Sequence, residues 1–346
     1  MSKASFHHSD EHLALELQRK MKGASQVFLL TDSNVAELVL PRILPLLKNA
    51  DKIDIIEVEP GEASKALDVC HHIFQHLIEA NAGRDALLIN LGGGVITDLG
   101  GFIASVYKRG IPFIHIPTSL MGMCDAAIGG KTGIDLLDVK NVIGSFAHPK
   151  AVLIQPNFIE TLPLEHIKSG FAEMVKHAII ADPQLFDALE VIDIEEPNHI
   201  ALFIERSTLI KEDIVMEDFM EEGKRKILNF GHTIGHAIES FCLSIDAPLS
   251  HGHAVALGIL VEAKMSYHLG GLDLESYTKI QRLLTKSFQF PDNCQWEDIL
   301  PFLFNDKKNK NNQVRFAIPK KMGTCDWDVA VDLEEARAAF EELINE

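Results

Sequence analysis

Two histidines four residues apart, His232 and His236 in LNFGHTIGHAIES, have the spacing that most directly suggests chemistry. On a helix this spacing places both imidazoles on one face, where they can bind a metal ion or a substrate. His251 and His253 stand at the predicted start of the next helix, and GFAEMVKHAII upstream places Glu173, Lys176 and His177 within one turn. Two imidazoles and a carboxylate from three helices are the components of a metal site with an open coordination position. The sequence predicts such a site; the alternative is that His236 and His177 only cap or pack helices.

Basic residues gather in this half of a chain that is strongly acidic. The sequence has 32 Lys and Arg against 50 Asp and Glu, a net charge of -18, which disfavours general binding to nucleic acid or anionic lipid. Lys176, Lys211 and Arg225 lie among acidic helical segments, and arginine suits bidentate binding of carboxylate or phosphate. These cations indicate a multiply anionic small molecule. For any one of them, an ordinary surface salt bridge is the alternative.

Two glycine-containing segments in the first half could bind anions. The glycines at 92–94 directly follow the apolar run DALLINL and precede a helical pattern. Glycine lets the backbone approach a ligand closely, and amides at a helix N-terminus attract phosphate, although the usual GxGxxG spacing is absent. The second segment, GGKTGIDLLDVKN (129–141), contains Lys131 and Lys140 beside Asn141 but not in Walker A order. A structural turn and a solvated loop are the respective alternatives.

The elements that must position these residues divide into two halves. We predict a mostly parallel sheet covered by helices, because short apolar runs alternate with helical patterns, namely QVFLLTD, KIDIIEVEP, DALLINLGGG, PFIHIPTS and AVLIQP. After QPNFIETLP the pattern becomes helical. We therefore predict an α/β domain over 1–156 and an all-α domain over 157–346. Near its end, DKKNKNNQ (306–313) predicts a polar turn, VRFAIP a short strand and DLEEARAAFEELINE a closing helix.

Cysteine usage and hydropathy predict a soluble cytoplasmic protein. The five cysteines are far apart and form no CxxC pair, which fits a reducing compartment. The first 20 residues lack the apolar core of a secretory signal. No uncharged apolar run reaches the roughly 18 residues that a membrane span requires. We expect neither a membrane nor a nucleic acid as partner.

Taken together and in this order, the motifs resemble those of the 3-dehydroquinate synthase family, within the sugar phosphate cyclase superfamily. The resemblance spans most of the chain and runs through GEASK (61–65), GGGVITDLGGFIASVYKRGI (92–111), PTSL (117–120), CDAAIGGKTGI (124–134), KNVIGSF (140–146), GFAEMVKH (170–177), LNFGHTIGH (228–236) and HGHAVALGI (251–259). It implies a homodimeric enzyme with NAD and a divalent metal, zinc or alternatively cobalt, in a cleft between a Rossmann-like domain and a helical domain.

The implied reaction converts 3-deoxy-D-arabino-heptulosonate 7-phosphate into 3-dehydroquinate and phosphate. It combines transient oxidation by NAD, β-elimination of phosphate, reduction and an intramolecular aldol closure, so NAD is regenerated in each cycle. The departing phosphate can itself take the proton. The protein's tasks would then be positioning and charge neutralisation.

The resemblance also implies a role for individual residues. The metal ligands would be Glu173, His232 and His251. The NAD contacts would be Glu62, Lys65, Gly93, Gly94, Val95, Asp98, Thr118, Ser119, Lys131, Lys140, Phe158 and Thr161. The catalytic and substrate-binding residues would be Asp125, Lys131, Asn141, Lys176, Lys211, Arg225, Asn229 and His236, with Arg109 reaching across the dimer interface.

The chain departs from the family's pattern without losing an implied metal ligand. The changed positions are Ser119 for threonine, Ala126 and Ala127 for serines, Asp135 for asparagine, Glu165 and His166 for arginine and glutamate, and His253 for glutamate. His253 lies two residues from His251 and could compete for zinc. Three other functions remain as alternatives: another sugar phosphate cyclase, a metal-dependent alcohol or glycerol dehydrogenase that releases NADH, and a nucleotide-sensing or scaffold protein without activity.

Overall fold

The computed structural model of the chain describes residues 3–47, 53–137, 139–292, 294–304 and 314–345. The chain divides into two compact units, Met1–Pro163 and Leu164–Glu346. This division falls seven residues after the one that the sequence analysis places at Pro156. Phe158 is buried, and the guanidinium of Arg42 lies 5.4 Å from its ring centroid, so this segment packs within the first unit.

The first unit is built on a six-stranded sheet. Its strands are β1 (Ala4–Phe6), β2 (Val27–Asp32), β3 (Ile53–Val58), β4 (Leu87–Gly92), β5 (Phe113–Pro117) and β8 (Ala151–Ile154). Two further strands, β6 (Lys131–Leu136) and β7 (Val139–Phe146), form a separate ribbon. The sheet order is β1-β8-β5-β4-β2-β3, and every adjacent pair is parallel. All six residues of β4 are buried, as expected for a central strand covered on both faces. The predicted mostly parallel sheet is confirmed.

Helices connect these parallel strands. They are α1 (Asp10–Met21), α2 (Ser33–Leu38), α3 (Leu40–Ile43), α4 (Leu67–Glu79) and α5 (Gly94–Val106). Apolar residues of α4 and α5, including Ile73, Leu77 and Ile103, pack with the sheet residues Phe28 and Leu88 in one buried cluster. Burial of this apolar surface stabilises the sheet and holds the ends of its strands in fixed positions.

The segment that the sequence analysis treats as a lysine-containing loop is a two-stranded antiparallel ribbon of β6 and β7. β-branched residues such as Thr132, Ile134 and Ile143 favour the extended backbone. Gly133 and Gly144 stand opposite each other in its register. Lys131 and Lys140 therefore lie on paired strands, a position that local composition alone does not predict.

The second unit is helical apart from one ribbon. Its helices are α6 (Leu164–Ala181), α7 (Pro183–Glu190), α8 (Pro197–Glu217), α9 (His232–Ser244), α10 (His251–His268), α11 (Leu274–Thr285), α12 (Trp296–Leu303) and α13 (Leu333–Asn345). The predicted strand at VRFAIP is β9 (Arg315–Lys321), which pairs antiparallel with β10 (Thr324–Ala330), a strand that the sequence analysis misses. The predicted polar turn at 306–313 lies outside the described residues. Among the helices that the structure describes, none has the length and hydropathy of a membrane span.

Candidate active site

Three helices of the second unit carry the residues of the predicted metal set. Glu173 lies in the middle of α6 and is fully buried. His232 and His251 are the first residues of α9 and α10. A buried carboxylate needs a positive partner, because isolated charge is costly away from water.

The side chains of these residues converge. Oε1 of Glu173 lies 3.5 Å from Nε2 of His232 and 3.6 Å from Nε2 of His251. Ligand atoms bound tetrahedrally at the usual zinc distances stand about 3.4 Å apart. Oε1 of Glu173 therefore lies at a ligand-to-ligand spacing from each of the two imidazole nitrogens.

The other ring nitrogen of each histidine has its own partner. Nδ1 of His232 lies 3.2 Å from the carbonyl oxygen of Phe230, and Nδ1 of His251 lies 3.2 Å from Oε2 of Glu239. An Nδ1–H that donates to oxygen orients the ring and leaves Nε2 as the basic atom, as in most metal-binding histidines. Glu239 is not among the predicted site residues, although it lies seven residues after His232 and so shares a helix face with it.

The electrostatics of the two histidines differ. Burial, followed by the positive charge of Lys176, lowers the pKa of His232 well below its usual value. Burial also acts to lower the pKa of His251, but hydrogen bonds to Glu173 and Glu239 outweigh it and raise that pKa to about 10. An ion that binds at neutral pH must therefore displace a proton from His251, and rising pH favours its binding.

A third histidine adjoins this group. The ring centroid of His236 lies 5.2 Å from that of His232 and 5.7 Å from that of His251. One ring nitrogen from each of the three lies within 4.8 Å of the others. The site thus offers either Glu173 or His236 as the third ligand. His253 points elsewhere: its Nε2 donates to the carbonyl of Gln289 at 2.9 Å, and its ring packs against Phe288.

The predicted cations of the second unit are buried. Lys176, Lys211 and Arg225 are 1%, 7% and 2% exposed, which does not fit the alternative of ordinary surface salt bridges. Lys176 pairs with Glu173, and Nη1 of Arg225 donates to the carbonyl of Phe219 at 2.6 Å. Buried cations suit a ligand with several negative charges.

Asn229 ends the short helical turn Lys224–Asn229 before α9. Its Nδ2 donates to Oε1 of Glu221 at 3.1 Å, which fixes the orientation of the amide. Glu221 could not be predicted, because an acid in the polar segment EDFMEEGKRK has no local feature that distinguishes it from a solvated one.

In the first unit, the residues predicted to contact NAD follow the carboxyl ends of parallel strands. Glu62 and Lys65 follow β3, Gly93 and Gly94 follow β4, and Thr118 and Ser119 follow β5, while the turn Pro156–Thr161 follows β8. Parallel strands place these ends at one edge of the sheet, where ligands of α/β folds bind. Within that last turn, Phe158 is buried, and the hydroxyl of Thr161 donates to its carbonyl at 3.0 Å.

The N-terminus of α5 forms a narrow turn beside the loop after β5. Gly93 is its N-cap residue and Gly94 its first residue, and no side chain caps the helix. A Cβ atom at Gly93 would lie 3.1 Å from Oγ of Ser119, so a larger residue would crowd that hydroxyl. The free amides of such a helix end attract phosphate. Val95 lies in the same first turn.

Lys65 links several of the predicted residues. Its Nζ lies 3.0 Å from Oδ2 of Asp98 and 3.2 Å from Oε1 of Glu62, and it donates to Oδ1 of Asn141 at 2.7 Å. Burial acts to lower the pKa of Lys65, but the carboxylates of Asp98 and Glu62 outweigh it and raise that pKa, so the side chain stays charged. The predicted cofactor and substrate sets are thus joined within this unit.

Asp135, which replaces the family's asparagine, belongs to the same network. The backbone N–H of Asn141 donates to Oδ1 of Asp135 at 2.6 Å, and the N–H of Asp135 donates to the carbonyl of Lys65 at 2.7 Å. Asn141 has a φ of 51°, a left-handed conformation that these bonds help to hold. The aspartate keeps the acceptor oxygen of asparagine and adds a negative charge.

The remaining predicted residues of the first unit lie in separate places. Lys131 and Lys140 are exposed on β6 and β7. Asp125 lies in the helical turn Gly122–Ala126. Arg109 is exposed at the end of the turn after α5, with a φ of 67°.

Comparison with known proteins relates most of the chain to 3-dehydroquinate synthases. The family model for the N-terminal part of 3-dehydroquinate synthase matches residues 55–169, and the model for the C-terminal part matches residues 170–309. The 3-dehydroquinate synthase of Clostridium tetani is 39% identical over 333 residues, which cover 94% of this chain and 88% of that protein. That of Parabacteroides distasonis is 39% identical over 316 residues, which cover 90% and 89%.

Solved structures share the fold. The 2-epi-5-epi-valiolone synthase of Streptomyces hygroscopicus, with NAD+ and Zn2+ bound, has a TM-score of 0.87 at 25% identity and covers 100% of this chain and 98% of its own. A 2-deoxy-scyllo-inosose synthase complexed with carbaglucose-6-phosphate, NAD+ and Co2+ has a TM-score of 0.86 at 22% identity, covering 98% and 96%. The predicted combination of a parallel-sheet domain and a helical domain is confirmed.

Proposed function

Because the chain belongs to the 3-dehydroquinate synthase family, we propose that its conversion of 3-deoxy-D-arabino-heptulosonate 7-phosphate into 3-dehydroquinate and phosphate depends on NAD and a divalent metal ion. The observation that carries the proposal is the convergence of Oε1 of Glu173 with Nε2 of His232 and of His251 at 3.5 and 3.6 Å. One carboxylate and two imidazoles leave an open coordination position for a substrate oxygen.

The donor set fits zinc or cobalt. Both ions accept imidazole nitrogen and carboxylate oxygen, and neither requires a thiolate. Glu173, His232 and His251 would hold the ion, which would supply polarisation of a substrate hydroxyl, and NAD would supply a hydride acceptor; together they would make a neighbouring C–H bond acidic enough for phosphate to leave. Glu239 holds His251 in the orientation that this binding requires.

The buried cations of the second unit bind the negatively charged groups of the substrate. Lys176, Lys211 and Arg225 neutralise carboxylate and phosphate groups, and a buried cation loses less of this attraction to water than an exposed one. Asn229 and His236 supply hydrogen bonds to hydroxyl groups. The contacts of Lys176 with Glu173, of Arg225 with the carbonyl of Phe219 and of Asn229 with Glu221 hold these three side chains before substrate arrives, which reduces the entropy lost on binding.

The first unit supplies the dinucleotide site and further substrate contacts. The amides of Gly93, Gly94 and Val95 face the pyrophosphate. The other proposed NAD contacts are Glu62, Lys65, Asp98, Thr118, Ser119, Lys131, Lys140, Phe158 and Thr161. The proposed substrate contacts are Asp125, Lys131 and Asn141, with Arg109 from the partner subunit of a homodimer.

The cyclase reaction is distinguished from that of a dehydrogenase by the fate of NAD. Purified protein, incubated with the heptulosonate phosphate, zinc and NAD at far below the substrate concentration, should release phosphate and dehydroquinate in equal amounts over many turnovers. Because the hydride returns to the product, no NADH should accumulate. NADH formed in proportion to a simple alcohol, without phosphate release, would instead support the dehydrogenase.

Replacing Arg225 by lysine should weaken substrate binding although the charge is kept. Lysine cannot present the planar pair of donors that binds an oxyanion, and a hydrogen bond to a charged group contributes about 1.5 to 3 kcal/mol, so kcat/KM should fall about 10- to 100-fold, mainly through KM. Steady-state kinetics with the heptulosonate phosphate measure this. Lys224→Ala is the control, because Lys224 forms an exposed ion pair with Glu217. Equal kinetics of R225K and the wild type would remove Arg225 from the substrate site.

A further inference from the structure

The first turn of α9 carries His232 but has no side-chain cap of its own. Its N-cap residue, Gly231, has a φ of 80° and offers no side chain to accept the first N–H groups. A helix N-terminus leaves four such groups without partners inside the helix, and it concentrates about half a positive charge. Both properties matter here, because the proposed metal ion would lie beside this turn.

Glu262 of α10 supplies the missing cap. Its carboxyl group is fully buried. Oε2 accepts the backbone N–H of Gly231 at 2.6 Å, and Oε1 accepts that of Ile234 at 3.1 Å. The two bonds bracket His232 along the chain, so they fix the backbone from which its imidazole projects. Hydrogen bonds to an ionised acceptor are about twice as strong as neutral ones.

The backbones of α9 and α10 are in close contact at the same place. A Cβ atom at Gly258 would overlap the carbonyl oxygen of Gly231, and one at Gly235 would lie 2.8 Å from the carbonyl oxygen of Ala254. Gly258 lies four residues before Glu262, which is about one helical turn. The glycines set how close the helices come, and Glu262 sets the position of the first turn of α9.

We propose that Glu262 is a positioning residue for the metal centre. It holds the first turn of α9 so that Nε2 of His232 faces Glu173, and its negative charge offsets the positive end of the helix beside a bound dication. The proposal rests on the metal set assigned under the proposed function. It concerns a residue that contacts neither the ion nor the substrate.

The variant that tests this is Glu262→Gln. Glutamine has the same shape and keeps one acceptor oxygen, but it loses the charge and replaces the second acceptor by a donor. Ser266→Ala is the matched control for lost stability. Ser266 is also fully buried on α10; its hydroxyl donates to the carbonyl of Pro319 at 2.5 Å and accepts the N–H of Leu272 at 3.0 Å, so its bonds do not involve α9.

The measurement is the affinity of the metal-free proteins for Zn2+, by competition with a chromophoric chelator, together with the visible spectrum of the Co2+ forms. We expect E262Q to bind Zn2+ about 10- to 100-fold more weakly than the wild type and to show an altered Co2+ spectrum. S266A should bind within about two-fold of the wild type, because the bonds of Glu262 to Gly231 and Ile234 and that of Glu239 to His251 are unchanged. Thermal melting of each metal-free protein reports the loss of stability.

The outcomes distinguish failure of the role proposed for Glu262 from failure of the proposed metal set. Wild-type affinity in E262Q, or an equal loss of affinity in S266A at a similar melting temperature, would overturn the role of Glu262 while leaving the metal site in place. A wild-type protein that binds no Zn2+ would overturn the proposed metal set, and the positioning role with it. If E262Q does not fold, Glu262→Asp replaces it, because its shorter side chain withdraws the carboxylate. Weak Zn2+ binding and an altered Co2+ spectrum in folded E262D would support the role of Glu262. Wild-type affinity and a wild-type spectrum would overturn it.

Discussion

His232→Ala should lose its metal ion and reduce kcat at least about 1,000-fold, because an ion that polarises the reacting oxygen lowers the activation free energy by several kcal/mol. Alanine removes one of the three atoms that converge at 3.5 and 3.6 Å. It leaves the carboxylate of Glu173 and its partner Lys176 in place. Metal content after gel filtration and phosphate release under saturating substrate are the two measurements.

His253→Ala is the control for this substitution. The ring of His253 bonds to the carbonyl of Gln289 and packs on Phe288. It should therefore keep the metal content of the wild type and most of its activity. Full activity in His232→Ala, or loss of metal in His253→Ala alone, would show that the wrong histidine has been assigned to the ion.

Gly258→Ala should destabilise the protein by about 3 kcal/mol or more, although alanine is the better helix former. In an exposed helix the exchange would gain about 1 kcal/mol. Here the added methyl group would overlap the carbonyl oxygen of Gly231, and backbone atoms cannot rotate away as a side chain does. Overpacking costs about 1 to 3 kcal/mol even where only side chains must move. Urea denaturation measures the free energy of unfolding, and the metal affinity should fall as α9 and α10 are forced apart.

Ala338→Gly is the reference variant, because it measures how much an exchange of alanine and glycine changes the free energy of unfolding through helix propensity alone. Ala338 is exposed on α13, so its replacement should cost about 1 kcal/mol through propensity alone. An unfolding free energy of Gly258→Ala equal to or above that of the wild type would contradict the close contact of the two helices.

The buried strands could be predicted from sequence because their pattern is local. DALLINL has no polar position to face solvent, and it forms β4, which is buried along its whole length. The ribbon of β6 and β7 was missed, because lysines and glycines hide the alternation of Thr132 and Ile134 with smaller residues. The first compact unit extends to Pro163, seven residues beyond the predicted boundary at Pro156, and the contact of Phe158 with Arg42, which is remote in the sequence, gives no local signal.

The set Glu173, His232 and His251 was predicted only through the resemblance of the motifs to those of a known family, because helical spacing alone relates His232 to His236 and to neither of the other two. The carboxylates that support these residues, those of Glu239 and Glu262, could not be predicted. Glu239 and Glu262 stand in helices where an acid is ordinarily solvated, and only the packing of α9 on α10 places them on an imidazole and on backbone N–H groups. Acids that bond across helices leave no periodic signal in either helix.

The hydrogen bond between Lys65 and Asn141 could not be predicted either, because it joins residues that are distant in the sequence. The two residues are 76 positions apart, and the β6–β7 ribbon brings them to 2.7 Å. Sequence alone shows that Asp135 stands where the family has asparagine. Its role as hydrogen-bond acceptor for the N–H of Asn141 depends on the pairing of β6 with β7.

The most direct test of the account is anomalous diffraction at the zinc absorption edge from crystals of the zinc-loaded protein. The account predicts one peak in the second unit, about 2.0 to 2.2 Å from Oε1 of Glu173 and from Nε2 of His232 and His251. A peak bound by His236 in place of Glu173, or no peak between these side chains, would contradict it.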